Sequence, residues 1–221
     1  MSLILNLDTS LEIASVSIAT DGVIMFTVVN DIQKEHASFL HIAIKEMLTR
    51  SSFDISQLDA IAVTHGPGSY TGLRVGMSSA KGLCYALNKP LITIGTLDAM
   101  AVSVINKTTA TDILYCPMID ARRMEVYTAI YDCHMNQLLP ACAMVLTTSS
   151  FESFLVKYKI IFFGNGTIKW KTIMRTDNAT FLEMDNIAQA ISTMAYKAFC
   201  NKQFADLRYT DPFYIKEFYA P

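Results

Sequence analysis

Apolar residues in this chain come either in short continuous runs or at spacings of three and four, and these patterns predict its elements. Residues 3–7, Leu-Ile-Leu-Asn-Leu, read as a buried strand that ends at Asp8-Thr9-Ser10. Residues 13–19 alternate apolar with small polar side chains, Asp21-Gly22 is a hairpin signal, and residues 23–29 give a third strand. Over 37–48, Leu40, Ala43, Ile44, Met47 and Leu48 fall at helical spacing. Phe39 and Ile42 lie off that stripe, so this helix is apolar on more than one side. An apolar strand at 60–63 leads into a glycine-rich segment and then a helix over 73–87. A strand at 90–94 and a helix running from Thr96 to Asn106 follow.

The polar, threonine-rich stretch 106–112 reads as a boundary between lobes. It sets an N-terminal lobe at 1–106 and a smaller C-terminal lobe at 107–221, whose last helix is free to pack back on the first. After it the opening pattern returns: a strand at 113–119 ending at Asp120, a strand at 125–131, a turn at 132–136 and a strand at 138–146. Asp8 and Asp120 occupy corresponding places, as duplicated lobes would have them. Residues 150–158 predict a helix, 160–163 a strand, Gly164-Asn165-Gly166 a turn, and 186–204 a long amphipathic helix. Tyr209, Phe213, Tyr214, Phe218 and Tyr219 crowd the tail, and so many rings are expected to dock on the body or on a partner.

The chemistry centres on residues 64–76, Thr-His-Gly-Pro-Gly-Ser-Tyr-Thr-Gly-Leu-Arg-Val-Gly. Gly66 and Gly68 are able to take positive φ, Pro67 fixes its own φ, and Ser69 and Thr71 are both candidate N-caps. Such a strand-to-helix turn is either an anion site or a tight turn that needs glycine for geometry. It is not a Walker loop, because no Gly-Lys-Ser/Thr ends it, and the Gly-x-Gly-x-x-Gly spacing is absent. Gly72, Gly76, Ser79 and Gly82 share one helix face. Glycine inside a helix costs about 1 kcal/mol relative to alanine, so close approach of another backbone is expected there, from this chain's own sheet or from a partner helix. Arg74, one turn in, is expected to tie the loop or the Asp8 turn in place.

Composition narrows the partners. Of 221 residues 52% are hydrophobic and only 17% charged, so some apolar surface is expected to face a partner. The net charge of −2 supplies no global attraction to nucleic acid. Five scattered cysteines suggest reduced thiols in a cytoplasmic protein. The start of the chain reads as a strand and not as a signal peptide, and no apolar run reaches membrane-spanning length. His36 and His41 are five apart, miss a shared face and make no metal pair.

Leu7-Asp8-Thr9-Ser10, the run 62–76, and Ile119-Asp120-Ala121-Arg122 with Glu125-Val126-Tyr127 strongly resemble the TsaB (YeaZ) family. Thr96-Leu97-Asp98-Ala99-Met100-Ala101 fits that family's next helix, and Pro212-Phe213-Tyr214-Ile215-Lys216 fits its ending. The likeness is close to residue 131 and looser beyond. Duplicated lobes with an aspartate at each first turn also look like the superfold of actin, heat-shock chaperone ATPases and sugar kinases, where two hairpins hold a nucleotide's phosphates. The resemblance implies an α/β fold of two such lobes in tandem, each a mixed sheet with helices. It implies a non-catalytic scaffold subunit in making threonylcarbamoyladenosine on tRNA, beside the anticodon. Its partners would be TsaD, which holds the metal and does the transfer, and the ATPase TsaE. Alone it would form a homodimer, and it would meet tRNA only through the complex.

In that reading Asp8, Thr9, Ser10 and Asp120 are remnants of a nucleotide site. Gly66, Pro67, Gly68, Ser69, Thr71, Gly72 and Arg74 form the glycine-loop motif. No residue is catalytic, and no metal or cofactor is held. The turn Ala121-Arg122-Arg123-Met124 agrees, being bulky where the superfold keeps a small phosphate turn. The competing readings are an ATP-dependent phosphotransferase with Asp8 anchoring a magnesium water, and a metallopeptidase-like enzyme. Phe39, Ile42, Gly72, Gly76, Ser79 and Gly82 are the expected partner face, for TsaD and for self-pairing alike. Gly76→Leu is then expected to block association while leaving the monomer folded.

Overall fold

A computed structural model describes residues 1–31, 36–51, 53–108, 110–174 and 176–216. The side chains of His36 and Ala37, and the tail residues Phe218 and Tyr219, lie outside the described residues. The chain divides into two units: Met1–Ala99 with Asn186–Phe213, and Met100–Asp185 with residues 214–216.

The first unit is a five-stranded sheet built from β1 (Leu3–Asp8), β2 (Ala14–Thr20), β3 (Val23–Asn30), β4 (Ala60–Gly66) and β5 (Leu91–Gly95), in the order β3-β2-β1-β4-β5. β1, β2 and β3 run antiparallel, and the Asp21-Gly22 turn, at φ 48° and 82°, joins β2 to β3. β4 and β5 add on parallel to β1. β1 is buried throughout, as a strand covered on both faces must be. Leu3, Leu5 and Leu7 join one core with Leu40, Ala43, Ile44 and Met47 of α1 (His36–Arg50) and Met77, Ala80 and Cys84 of α2 (Tyr70–Leu87). Asn6 points the other way and donates to Ser192 Oγ on α6 (Ala188–Cys200) at 3.2 Å. The sheet is thus the middle of three layers, with α1 and α2 on one face and α6 on the other. The last connection of the first sheet runs into α3 (Thr96–Ile105), within which the boundary between units falls.

The second unit repeats this scheme. Its strands are β6 (Ile113–Asp120), β7 (Glu125–Tyr131), β8 (Gln137–Val145), β9 (Lys159–Phe163) and β10 (Ala179–Leu182), with the short helices α4 (Glu152–Leu155) and α5 (Thr167–Lys171). Read as β8-β7-β6-β9-β10, the order matches the first sheet, and so does the direction of every pair. Trp170 is fully buried and packs edge-on to Phe151 and Phe162 at 5.0 and 4.6 Å between ring centres. The α/β class with two mixed sheets, read from the sequence, is what the chain adopts.

Three details differ from expectation. The helix expected over 150–158 is a single turn, because Phe151 at φ 63° stops it from starting earlier. α5 and β10 were not foreseen; each is too short to show periodicity. The tail is tied down by its main chain more than by its rings. Ala205 N donates to Leu91 O at 2.8 Å, Thr210 O accepts from Lys81 Nζ at 3.0 Å, and Phe213 N donates to His65 O at 2.7 Å. Tyr209 remains 77% exposed. Among the described residues, no helix is long and apolar enough to cross a membrane.

Candidate functional site

The turn after β1 is built around a buried carboxylate. Asp8 is 2% exposed, and its Oδ1 accepts from Ser10 N at 3.0 Å, Ser10 Oγ at 2.6 Å and Thr64 Oγ1 at 2.8 Å. Thr64 stands on β4, the strand beside β1, so sheet register brings it to Asp8. Thr9 turns its hydroxyl to Gly72 O at 2.6 Å, and Ser10 O accepts from Ser69 N at 2.8 Å. Asp8, Thr9 and Ser10 and the glycine loop are therefore one hydrogen-bonded assembly.

That assembly explains the glycines. A Cβ on Gly68 would overlap Ser10 O, and one on Gly72 would overlap Thr9 O. On Gly76 it would fall 2.5 Å from Thr9 Oγ1. Gly66, at φ 124°, meets the Phe213 carbonyl in the same way, and its bond to Pro67 is cis. Gly68 needs no positive φ; it is glycine because a backbone lies against it. Ser69 is the N-cap of α2 and accepts from Gly72 N at 3.3 Å, whereas Thr71 lies within the helix and is exposed. Arg74 is exposed and sets its guanidinium 4.1 Å over the ring of Tyr70 in the same loop run.

These contacts correct the small-residue stripe. Gly72 and Gly76 are buried against this chain's own Thr9 and offer nothing to a partner. Gly76→Leu would strike the monomer's core and cannot serve as a clean association probe. Phe39 is partly buried on the core of the first unit, so it too leaves the expected face. What stays outward is Ile42, 64% exposed, and Gly82, which has no atom within 4 Å of its would-be Cβ. Between them Ser79 Oγ and His41 Nε2 meet at 3.4 Å, joining α1 to α2. Tyr85, 84% exposed and one turn beyond Gly82, belongs with them; its lone position in the sequence gave no cue.

The matching turn of the second unit is closed by a lysine. Lys169 of α5 donates to Asp120 Oδ1 at 2.9 Å, Arg123 O at 2.8 Å and Glu125 O at 2.7 Å, and its side chain is only 15% exposed. Asp120 also accepts from Arg122 N, while Asp120 N donates to Asn165 Oδ1 at 2.9 Å. Glu125 is paired with Lys216. With an acceptor for each of its three N–H groups, the Lys169 ammonium has no donor left over for a phosphate. Lys169 lies 49 residues from Asp120, and nothing local in the sequence marks it. Burial pushes the Cys84 thiol in α2 up to about 12 and Cys116 higher still, so neither is a nucleophile at neutral pH.

The chain is similar to known proteins along most of its length. The family model described as TsaD, tRNA N6-adenosine threonylcarbamoyltransferase, matches residues 27–215. The tRNA threonylcarbamoyladenosine biosynthesis protein TsaB of Haemophilus influenzae is 38% identical over 125 residues, 56% of this chain and 51% of that protein. Its counterpart in Escherichia coli is 36% identical over 130 residues, 58% of this chain and 54% of that protein. The chain thus spans about half the length of these curated relatives. A crystal structure of an uncharacterized Pseudomonas aeruginosa protein with similarity to peptidase YeaZ superimposes with a TM-score of 0.82 at 24% identity, over 98% of this chain and 100% of that one.

Proposed function

Because this chain belongs to the TsaB (YeaZ) proteins of the tRNA N6-adenosine threonylcarbamoyltransferase (TsaD) family, we propose that it is a non-catalytic, partner-binding subunit in making threonylcarbamoyladenosine on tRNA. The observation that carries this reading is Lys169. Its ammonium takes up Asp120 and two carbonyls of the β6–β7 turn, the place where a phosphate-handling turn needs space and free donors. Asp8 supports it from the first unit, since its Oδ1 is occupied by the chain's own donors.

The partner is a TsaD-type protein that holds the metal and performs the transfer, with the ATPase TsaE joining them in the cytoplasm. The contact surface is the outward side of α1 and α2, carried by Ile42, Ser79, Gly82 and Tyr85, and the isolated chain pairs with itself through the same surface. An exposed tyrosine beside an open glycine suits an interface core, where aromatic residues are enriched.

Sizing-column elution with the cognate TsaD-type protein tests this, together with threonylcarbamoyl transfer to tRNA in the presence and absence of the chain. Co-elution, and transfer that needs both proteins, is the expected result. ATP turnover by the chain alone at about 1 per second or faster, lost on Asp8→Ala, overturns it.

A further inference from the structure

The tip of the β6–β7 hairpin carries two arginines that neither the closed turn nor the partner surface uses. Arg122 at φ 68° and Arg123 at φ 47° both stand in the left-handed region. Asparagine and glycine enter that region far more readily than arginine does. Both side chains are exposed. The conformation is held from below, by Asp120 on the Arg122 amide and by Lys169 on the carbonyls of Arg123 and Glu125. The carboxylates nearby are already matched, Asp120 by Lys169 and Glu125 by Lys216. Among the described residues, neither arginine side chain has an ion-pair or hydrogen-bond partner. A strained backbone that keeps two arginines outward and unmatched points to a contact outside the chain.

We propose that Arg122 and Arg123 form a binding site for the phosphodiester backbone of RNA. With Lys169 and Lys216 they outnumber Asp120 and Glu125, so this corner is positive in a chain of net charge −2. The guanidinium fork matches phosphate oxygens with paired hydrogen bonds. Adjacent arginines on a narrow tip fit a backbone of regularly spaced phosphates better than the broad face of an acidic protein. The choice of RNA as ligand rests on the tRNA-modification reading above. The contact positions RNA and carries no base specificity.

Fluorescence anisotropy of an unmodified tRNA transcript, titrated with the full chain alone and assembled with its TsaD-type partner over a range of salt, tests the site. The double variant Arg122→Asn, Arg123→Gly is the informative one, because both new residues accept the positive φ. It is expected to bind RNA about tenfold more weakly, with a log–log salt slope shallower by about 1 to 2, and to melt no lower than the parent. Arg122→Lys with Arg123→Lys is expected to keep most of the salt dependence. The site is ruled out if the parent shows no RNA binding at low salt, or if the Asn-Gly variant matches the parent in affinity and slope. It is also ruled out if that variant loses the TsaD-type partner while RNA binding is unchanged, which would assign the arginines to a carboxylate-bearing protein. Partner co-elution is read without RNA, so failure of the assembly and failure of the RNA contact are told apart.

Discussion

Asp8 shows how much a single side chain can organise. It is a buried carboxylate that the chain satisfies with a neighbouring serine and with a threonine 56 residues away. Thr64→Val keeps the shape but withdraws one of those donors. A buried acceptor left short costs about 1–3 kcal/mol, and urea unfolding is expected to show a loss of that size. The thiols give a second residue-scale prediction. Cys84 and Cys116 are buried, with thiol pKa values raised by burial, whereas Cys200 is exposed. Raised values keep both core thiols protonated at mildly alkaline pH, where thiolate is the reactive form. Iodoacetamide is then expected to label Cys200 first in the native protein, and Cys84 and Cys116 only after unfolding, as read by mass spectrometry. Asp8 and Asp120 were legible as paired positions, since both end an apolar run. Their real partners were not, because Thr64 and Lys169 meet them through sheet register and a helix placed far along the chain.

Among the elements, α2 shows where a pattern stops short of an environment. Its small residues share one face, yet that face divides. Gly76 lies against Thr9, while Gly82 faces open space. The two glycines are accordingly expected to respond in opposite senses. Gly76→Ala forces a buried turn apart and is expected to cost about 1–3 kcal/mol. Gly82→Ala meets nothing and is expected to gain up to about 1 kcal/mol, the ordinary helix preference of alanine. Thermal melts of the two variants read the contrast. Ile42 on α1 gives the association probe that Gly76 cannot: Ile42→Glu leaves the core intact, and on a sizing column it is expected to lose the TsaD-type partner. Long periodic runs such as β1, β2, α1 and α2 were readable within a few residues of their ends. α4 was readable as a helix but not as a single turn, and α5 and β10 were not readable at all, since they span only 5 and 4 residues.

At the scale of the whole molecule, the duplication was legible, because each lobe opens with the same strand, aspartate, turn and strand, whereas the strand order within each sheet was not. The amphipathic stretch over 186–204 shows that one face is covered but not by which sheet. In the structure α6 joins the first unit, where Ser192 bonds Asn6 and Ala188 O accepts from Ser192 Oγ. A chain truncated after residue 185 lacks that layer. It is expected to unfold without a cooperative transition in the first unit and to scatter light, measured by circular dichroism and static scattering.

The return of Asn186–Phe213 to the first unit also sets an order of events at the ribosome. β1 to β5 are synthesised first, yet the helix that closes their open face leaves the exit tunnel only after every strand of the second unit. At about 5–20 residues per second, the earliest sheet waits for seconds with its Asn6 side bare. The half of the protein made first is the half finished last, and an aborted translation product from this message is a client for chaperones and proteases.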